Sequence, residues 1–247
     1  MRAILTGLNG TVAPVMARHL QGEGHQVIGW DRRRIPVDDE TMISEFLEGH
    51  QPEWFFHFAT GSPEWSEQIA KTCHTLKIKL IFTSSVSVFS SSQQGPFKVN
   101  ELPKPDDDYG HYKFHCETVI RKVNPEAIIA RLGWQIGDAP GSNTMIDYLH
   151  QLDTRQGQIE ASRNWFPACA FLEDTAASLY QLMKNFPTGL YHLDANPGLH
   201  FYDIVKNITH LQQRKWRIIP AIDPVINNRL LDDRIKVKSI VEHFKES

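Results

Sequence analysis

The residues best suited to acid–base chemistry in this chain are Tyr109 and Lys113, which stand four positions apart. Residues four apart lie on one face of a helix, so the phenol and the amine would project side by side. A phenol with a pKa of about 10 is a poor acid or base at neutral pH, but an adjacent ammonium would lower that pKa toward the working range. Ser85, which follows an apolar run, could supply a hydroxyl that orients a substrate carbonyl.

A glycine turn near the start of the chain predicts a phosphate-binding site. Residues 3–5 form a short apolar run, and residues 11–21 have the apolar spacing of a helix. Glycines between them let the backbone approach a pyrophosphate, and the helix N-terminus offers free N–H groups and a positive dipole. We therefore expect a dinucleotide at this turn, with contacts from Gly7, Asn9, Gly10, Thr11 and Val12.

The end of the second predicted strand, residues 26–30, carries signals for two cofactors. Asp31 lies about 20 residues after the glycine turn, where an acidic side chain holds the adenine ribose hydroxyls of NAD. It could equally be a turn residue that closes the strand. Arg32 and the two arginines after it could instead hold the 2′-phosphate of NADP. The sequence leaves the choice between NAD and NADP open.

A longer pattern surrounds the tyrosine and the lysine. The run FTSSVSVF at 82–89, the prolines that follow it and YGHYK at 109–113 resemble, in order and spacing, the signature of the extended short-chain dehydrogenase/reductases. In that family a serine, a tyrosine and a lysine form the catalytic set, which implies these roles for Ser85, Tyr109 and Lys113. The resemblance also implies that Tyr109 and Lys113 contact a nicotinamide cofactor, with the lysine on its ribose.

The same resemblance implies further contacts with the cofactor. The segment GLNGTVA at 7–13 is similar to the family's opening glycine motif, with alanine in place of the third glycine. Asp38 matches an acidic position that contacts the adenine, although it or Asp39 could equally cap the helix that follows. The exit of the third predicted strand resembles a step at which the backbone passes the adenosine, through Phe58, Ala59 and Thr60.

Composition and charge bear on the possible partners. The 247 residues, 41% of them hydrophobic, carry a formal net charge of -3, which is typical of a soluble globular protein. This charge gives no reason to expect a nucleic acid or a membrane surface as a partner. No apolar stretch approaches the roughly 18 residues needed to span a bilayer, and the first residues do not form a secretory signal. We expect a cytoplasmic protein.

Cysteine and histidine residues are interpreted as structural. An odd number of widely spaced cysteines suits reduced thiols in the core, here Cys73, Cys116 and Cys169. A histidine in an apolar strand, such as His57, is more often a hydrogen-bonded core residue than a ligand. His111 and His115 have the spacing of a helical metal pair but lack the glutamate of HExxH, so no metal site is expected.

The order of the predicted elements indicates a Rossmann-type α/β fold with a doubly wound parallel sheet and a small C-terminal substrate-binding lobe. We expect a dinucleotide-binding domain over residues 1–134. Residues 135–247 would form mainly the lobe, with a helix over 142–152 and a strand near 189–193 that returns to the sheet. The strand at 189–193, the helix that opens at HFYDIV (200–205) and the segment NRLLDD at 228–233 resemble the C-terminal layout of dTDP-4-dehydrorhamnose reductases.

The resemblance implies an NAD(P)H-dependent oxidoreductase that acts on a carbonyl or alcohol of a sugar nucleotide or a related small molecule. Two alternatives stay open: a sugar-nucleotide epimerase or dehydratase, and a catalytically silent NAD(P)-binding regulatory subunit like that of methionine adenosyltransferase. The segment between Thr60 and Leu80 is shorter than in the family. That segment helps to form subunit contacts in relatives, so both a monomer and a homodimer are compatible with the sequence.

Overall fold

The structure, a computed structural model, describes residues 1–137 and 143–245. Its strands are β1 (Arg2–Leu5), β2 (Gln26–Gly29), β3 (Trp54–His57), β4 (Lys79–Ser85), β5 (Phe97–Lys98), β6 (Ile128–Leu132), β7 (Trp134–Ile136), β8 (Ile159–Ser162), β9 (Trp165–Phe166), β10 (Cys169–Phe171), β11 (Gly189–Leu193), β12 (Ile218–Ala221), β13 (Ile226–Asn227) and β14 (Leu230–Leu231). Its α-helices are α1 (Ala13–Gly22), α2 (Glu40–His50), α3 (Pro63–Thr75), α4 (Asp108–Val123), α5 (Met145–Gln156), α6 (Leu172–Asn185), α7 (Phe201–Leu211) and α8 (Ile240–Lys245).

Six parallel strands form the central sheet, in the order β11-β6-β4-β3-β1-β2. The apolar run of β3 is buried throughout, as expected of a central strand whose two faces are covered by helices. One apolar cluster joins the sheet to α1 and α6, and a second joins its other face to α2, α3 and α4. The predicted Rossmann-type fold with a doubly wound parallel sheet is confirmed.

The predicted return of a strand to the sheet is also confirmed, because β11 pairs with β6 from Gly189↔Ile128 to Leu193↔Leu132. The remaining strands form four two-stranded parallel pairs, and a third apolar cluster joins α5, α7 and several of these strands. Residue 142, where the predicted helix begins, lies outside the described residues, and α5 begins at Met145. The division into a domain over 1–134 and a lobe over 135–247 stays a prediction.

Polar side chains cap the N-termini of α2 and α4. The Asp39 side chain accepts a hydrogen bond from the N–H of Met42, so Asp39 is the cap of α2. Asp107 caps α4 in the same way, through the N–H of Gly110 at 2.6 Å. The three cysteines are free thiols and buried, as predicted. Within the described ranges, no helix is both long and apolar enough to cross a membrane.

Candidate active site

A cleft at the carboxyl ends of the central strands contains a cavity of about 420 Å³. Strand β4 delivers Ser85 to it, and the first two turns of α4 deliver Tyr109 and Lys113. Gly110 lets α4 approach closely, because a Cβ at this position would collide with the carbonyl oxygen of Ser87. The glycine turn lines the same cavity through four further predicted residues, Gly7, Gly10, Thr11 and Val12, and a fifth, Phe58, follows β3.

Lys113 is the most deeply buried of the three candidate catalytic residues, with 2% of its surface exposed. Its Nζ donates a hydrogen bond to the carbonyl oxygen of Thr83 at 2.8 Å and lies 5.7 Å from the centre of the Tyr109 ring. Burial lowers the pKa of Lys113 to about 8, although the nearby Cys116 and Glu117 raise it. The ammonium is therefore the main form at neutral pH.

The expected lowering of the Tyr109 pKa by Lys113 is wrong. Although 45% of Tyr109 is exposed, burial of its phenol group raises the pKa above its usual value, and Asp107 and Cys116 add to this effect. A hydrogen bond with Ser85 lowers the pKa but does not outweigh burial. Lys113 directs its ammonium to a backbone carbonyl instead. Tyr109 is thus a neutral phenol at neutral pH and holds a proton that it can donate.

Ser85 is oriented by the short 3₁₀ helix Val86–Val88 that follows it. Its Oγ accepts a hydrogen bond from the N–H of Ser87 at 3.1 Å and donates one to the Ser87 hydroxyl at 3.1 Å. This capping interaction holds the Ser85 oxygen at the end of β4, within the cavity. The hydroxyl hydrogen can rotate toward a ligand, because a serine hydroxyl is free to turn about its C–O bond.

The glycine turn has the shape that a dinucleotide needs. Gly7 has φ +79°, and a Cβ there would lie 3.0 Å from the backbone nitrogen of Ala59, so only glycine fits without strain. Helix α1 begins without a side-chain cap and has no acidic residue in its first turn. Pro14 has no N–H, so the remaining N–H groups of the first turn, such as that of Ala13, are the ones open to an anionic ligand such as a pyrophosphate. These residues fit the predicted cofactor.

A second cavity, of about 710 Å³, lies on the other side of the glycine turn. The carboxylate of Asp31 accepts the N–H of Arg33 at 3.0 Å, so this aspartate does close a turn while it lines the cavity. Arg32 donates to the carbonyl oxygen of Thr60, and its guanidinium lies 4.8 Å from the Trp65 ring centre. Other predicted residues that line this cavity are Gly7, Asn9, Gly10, Phe58, Ala59 and Thr60.

Asp38 is the one predicted cofactor residue that lines neither cavity, since its side chain is exposed at the surface before α2. Its contact with a cofactor stays a prediction. Asp31 and Arg32 both border the second cavity, so the geometry does not select NAD over NADP.

His57 is a core residue, as predicted. Thr6 Oγ1 accepts hydrogen bonds from the N–H groups of Phe58 and Ala59 at 3.0 Å each, so its own hydrogen is donated to Nδ1 of His57 at 2.9 Å. Nε2 of His57 then carries the ring hydrogen and donates it to Ser66 Oγ at 3.0 Å. Burial lowers the pKa of His57 to about 3, so the ring is neutral.

Several residues that sequence reasoning missed line the main cavity. Gln135 on β7 and Asn143 before α5 carry no local signal, because they reach the cleft only through tertiary contacts such as the bond from the Asn143 N–H to Thr11 at 3.3 Å. Arg163, between β8 and β9, has its guanidinium carbon 4.7 Å from the Tyr202 ring centre and does not line the main cavity. Within residues 1–137 and 143–245, no cluster of three or more His, Cys, Asp or Glu could hold a metal ion.

The fold and the cleft define a Rossmann-type α/β protein with a site at the carboxyl ends of its parallel strands. The sequence pattern of the RmlD substrate binding domain matches residues 63–229, more than half of the chain. The protein belongs to this family. The predicted resemblance to dTDP-4-dehydrorhamnose reductases is thereby confirmed.

Among curated relatives, the chain is 24% identical over 174 residues to a probable low-salt glycan biosynthesis reductase, Agl14, of Haloferax volcanii. That alignment covers 60% of this chain and 58% of the relative. It is 23% identical to methionine adenosyltransferase 2 subunit beta of Xenopus laevis, over 82% of this chain and 70% of the relative. Among solved structures, dTDP-4-dehydrorhamnose reductase of Bacillus anthracis in complex with NADP superposes with a TM-score of 0.86 at 15% identity, covering 99% of this chain and 97% of that one.

Proposed function

We propose that this protein is a nicotinamide-dinucleotide-dependent reductase of the extended short-chain type, which acts on a carbonyl group of a sugar nucleotide. One observation carries the proposal: Ser85, Tyr109 and Lys113 line a single cavity with the glycine turn. The family match and the reductases among its relatives support it. The activity and the substrate class are both proposals for this chain, because its alignment with Agl14 spans only 58% of that protein.

In this mechanism Tyr109 is the acid. A bound dinucleotide would supply the hydride that the carbonyl carbon receives. Tyr109 donates its phenolic proton to the carbonyl oxygen, and its raised pKa keeps that proton in place at neutral pH. Ser85 donates a second hydrogen bond to the same oxygen and stabilises the negative charge that develops there.

Lys113 has a positioning role in the proposal. Its ammonium, held by the Thr83 carbonyl, would bind the ribose next to the nicotinamide. The glycine turn and the start of α1 would hold the pyrophosphate. On the adenosine side the proposed contacts are Asp31, Arg32, Asp38, Phe58, Ala59 and Thr60.

The regulatory alternative has one observation in its favour, the likeness to methionine adenosyltransferase 2 subunit beta. The presence of all three candidate catalytic side chains in one cavity favours the reductase. An epimerase or dehydratase would use the same residues, but it would return the hydride to its substrate and hold its cofactor tightly.

Oxidation of NADPH and of NADH at 340 nm, with a panel of keto-sugar nucleotides that includes dTDP-4-dehydrorhamnose, distinguishes these functions. The proposal predicts steady, stoichiometric oxidation with at least one sugar. Sugar conversion without net oxidation, by protein that purifies with bound dinucleotide, would identify an epimerase or dehydratase. Binding of a dinucleotide without conversion of any sugar in the panel would favour the regulatory subunit.

A further inference from the structure

Two residues that line the main cavity each have a buried polar atom without a hydrogen-bond partner in the described part of the chain: Oε1 of Gln135 and Oγ of Ser84. Gln135 is only 7% exposed. Folded proteins pair nearly all buried polar atoms, because an unpaired one costs about 1–3 kcal/mol. An unpaired acceptor in the wall of a ligand cavity is therefore a place where the ligand itself supplies the partner.

The orientation of the Gln135 amide is fixed. Its Nε2 donates a hydrogen bond to the carbonyl oxygen of Gly133 at 2.9 Å. If the amide were turned by 180°, two oxygens would face each other at this distance, so the assignment of oxygen and nitrogen follows from the hydrogen-bond network. The unpaired atom is consequently an acceptor that requires an N–H or O–H group.

Gln135 lies beside the candidate catalytic residues. Leu132, at the end of β6, is in register with Ser85 at the end of β4, and Gln135 follows three positions later on β7. Gln135 lines the same cavity as Gly10 of the glycine turn and Tyr109. A ligand that fills this cavity from the glycine turn to Tyr109 therefore shares it with Gln135.

We propose that Gln135 is a specificity-determining residue whose amide oxygen accepts a hydrogen bond from a neutral donor of the bound ligand. This inference rests on the proposed function. Next to the reacting carbons of that reaction, two groups carry such a donor: the carboxamide NH₂ of the dinucleotide and a hydroxyl of the sugar. Both are neutral, as suits a buried and uncharged acceptor.

Equilibrium binding distinguishes the two donors without relying on turnover. In the first arm, NADP⁺ and its 3-acetylpyridine analogue, in which a methyl group replaces the carboxamide NH₂, are titrated against tryptophan fluorescence, since Trp134 and Trp165 line the cavity. If the carboxamide is the donor, the wild type binds NADP⁺ about tenfold more tightly than the analogue. Gln135→Met, which keeps the volume but lacks the acceptor, binds the two within about twofold.

In the second arm, dTDP-4-dehydrorhamnose is titrated in the presence of NADP⁺, which cannot reduce it. If a sugar hydroxyl is the donor, Gln135→Met weakens sugar binding about tenfold and leaves the affinity for NADP⁺ within about twofold. Gln151→Met is the matched control, because Gln151 is exposed on α5 and pairs with Asp147. It should change neither affinity. Gln135→Leu replaces the methionine variant if that variant does not fold.

The proposal is overturned if the wild type does not discriminate between NADP⁺ and its analogue and the Gln135 variants bind the sugar as the wild type does. This outcome differs from a failure of the proposed function, because the protein would still bind both ligands and would still oxidise NADPH. If the wild type binds neither NADP⁺ nor NAD⁺, the proposed function and this inference are both wrong.

Discussion

Substitution of Glu117 by alanine should markedly lower the Tm of the protein. Glu117 belongs to α4, the helix that carries Tyr109 and Lys113, and it forms a bidentate ion pair with Arg131 on β6 at 2.9 and 2.7 Å. The two side chains are only 3% and 2% exposed. His192 also contacts Arg131, but burial lowers its pKa to about 4, so it is neutral and cannot replace the carboxylate.

Glu117→Ala leaves the Arg131 guanidinium buried without its counter-charge. Breaking a buried pair in this way costs about 3–5 kcal/mol. Since each 1 kcal/mol lowers the Tm of a chain of this size by about 2–4 °C, we expect a decrease of roughly 6–20 °C. The same substitution should shift α4 relative to the central sheet and thus reduce the affinity for the dinucleotide.

Thermal unfolding followed by circular dichroism at neutral pH measures the effect. Glu126→Ala is the matched control, because Glu126 is 72% exposed and pairs with His74 at the surface, where a pair is worth about 0–1 kcal/mol. The double variant Glu117→Met/Arg131→Met should recover most of the lost stability, since it removes both charges. A Tm for Glu117→Ala within 2 °C of the wild type, or a double variant less stable than the single one, would refute the reasoning.

Three further predictions concern the cleft. The pKa of His57 is about 3 in the folded protein, below its value of about 6.5 in the unfolded chain. Below about pH 6.5 the unfolded chain therefore binds a proton that the folded protein does not, and the free energy of unfolding falls by about 2 kcal/mol by pH 5. His57→Gln should therefore lose less stability between pH 7 and pH 5 in urea titrations. Turnover should decrease as the pH rises through about 8, where Lys113 loses its charge, and Lys113→Met should lose most turnover at every pH. Gly7→Ala should weaken dinucleotide binding at least tenfold in titrations, because its Cβ would press on Ala59.

Each of these predictions has an outcome that contradicts it. An identical loss of stability in acid for wild type and His57→Gln would mean that the histidine is charged or solvated in the folded state. A turnover that stays constant from pH 7 to pH 10 would exclude a role for the Lys113 charge. Gly22→Ala is the control for Gly7→Ala, since nothing lies within 4 Å of a Cβ there, and equal binding by both variants would contradict the account of the turn.

The sequence was sufficient to predict the central sheet because its signals are local. Strand β1, the glycine turn and α1 follow one another within 22 residues, and apolar spacing distinguishes strand from helix in each. The two-residue strands outside the central sheet were not predicted. Strands as short as β9, β13 and β14 have two residues each, too few to show a periodicity.

The sequence predicted residues that line the candidate site, but it did not predict the direction in which the pKa of Tyr109 is shifted. A spacing of four places Tyr109 and Lys113 on one face, yet it does not reveal that Thr83 accepts a hydrogen bond from the ammonium or how deeply the phenol is buried. For the same reason the direction of the Tyr109 pKa was wrong. Gln135 escaped notice because its importance arises from an unpaired atom, which only three-dimensional contacts reveal.

The most direct test of the central claim, that Tyr109 is the proton donor beside a bound dinucleotide, is the turnover of Tyr109→Phe on a keto-sugar nucleotide that the wild type reduces. The account predicts a loss of at least about 100-fold in kcat, with the Kd of the dinucleotide within about twofold of the wild type. Turnover equal to that of the wild type would contradict it.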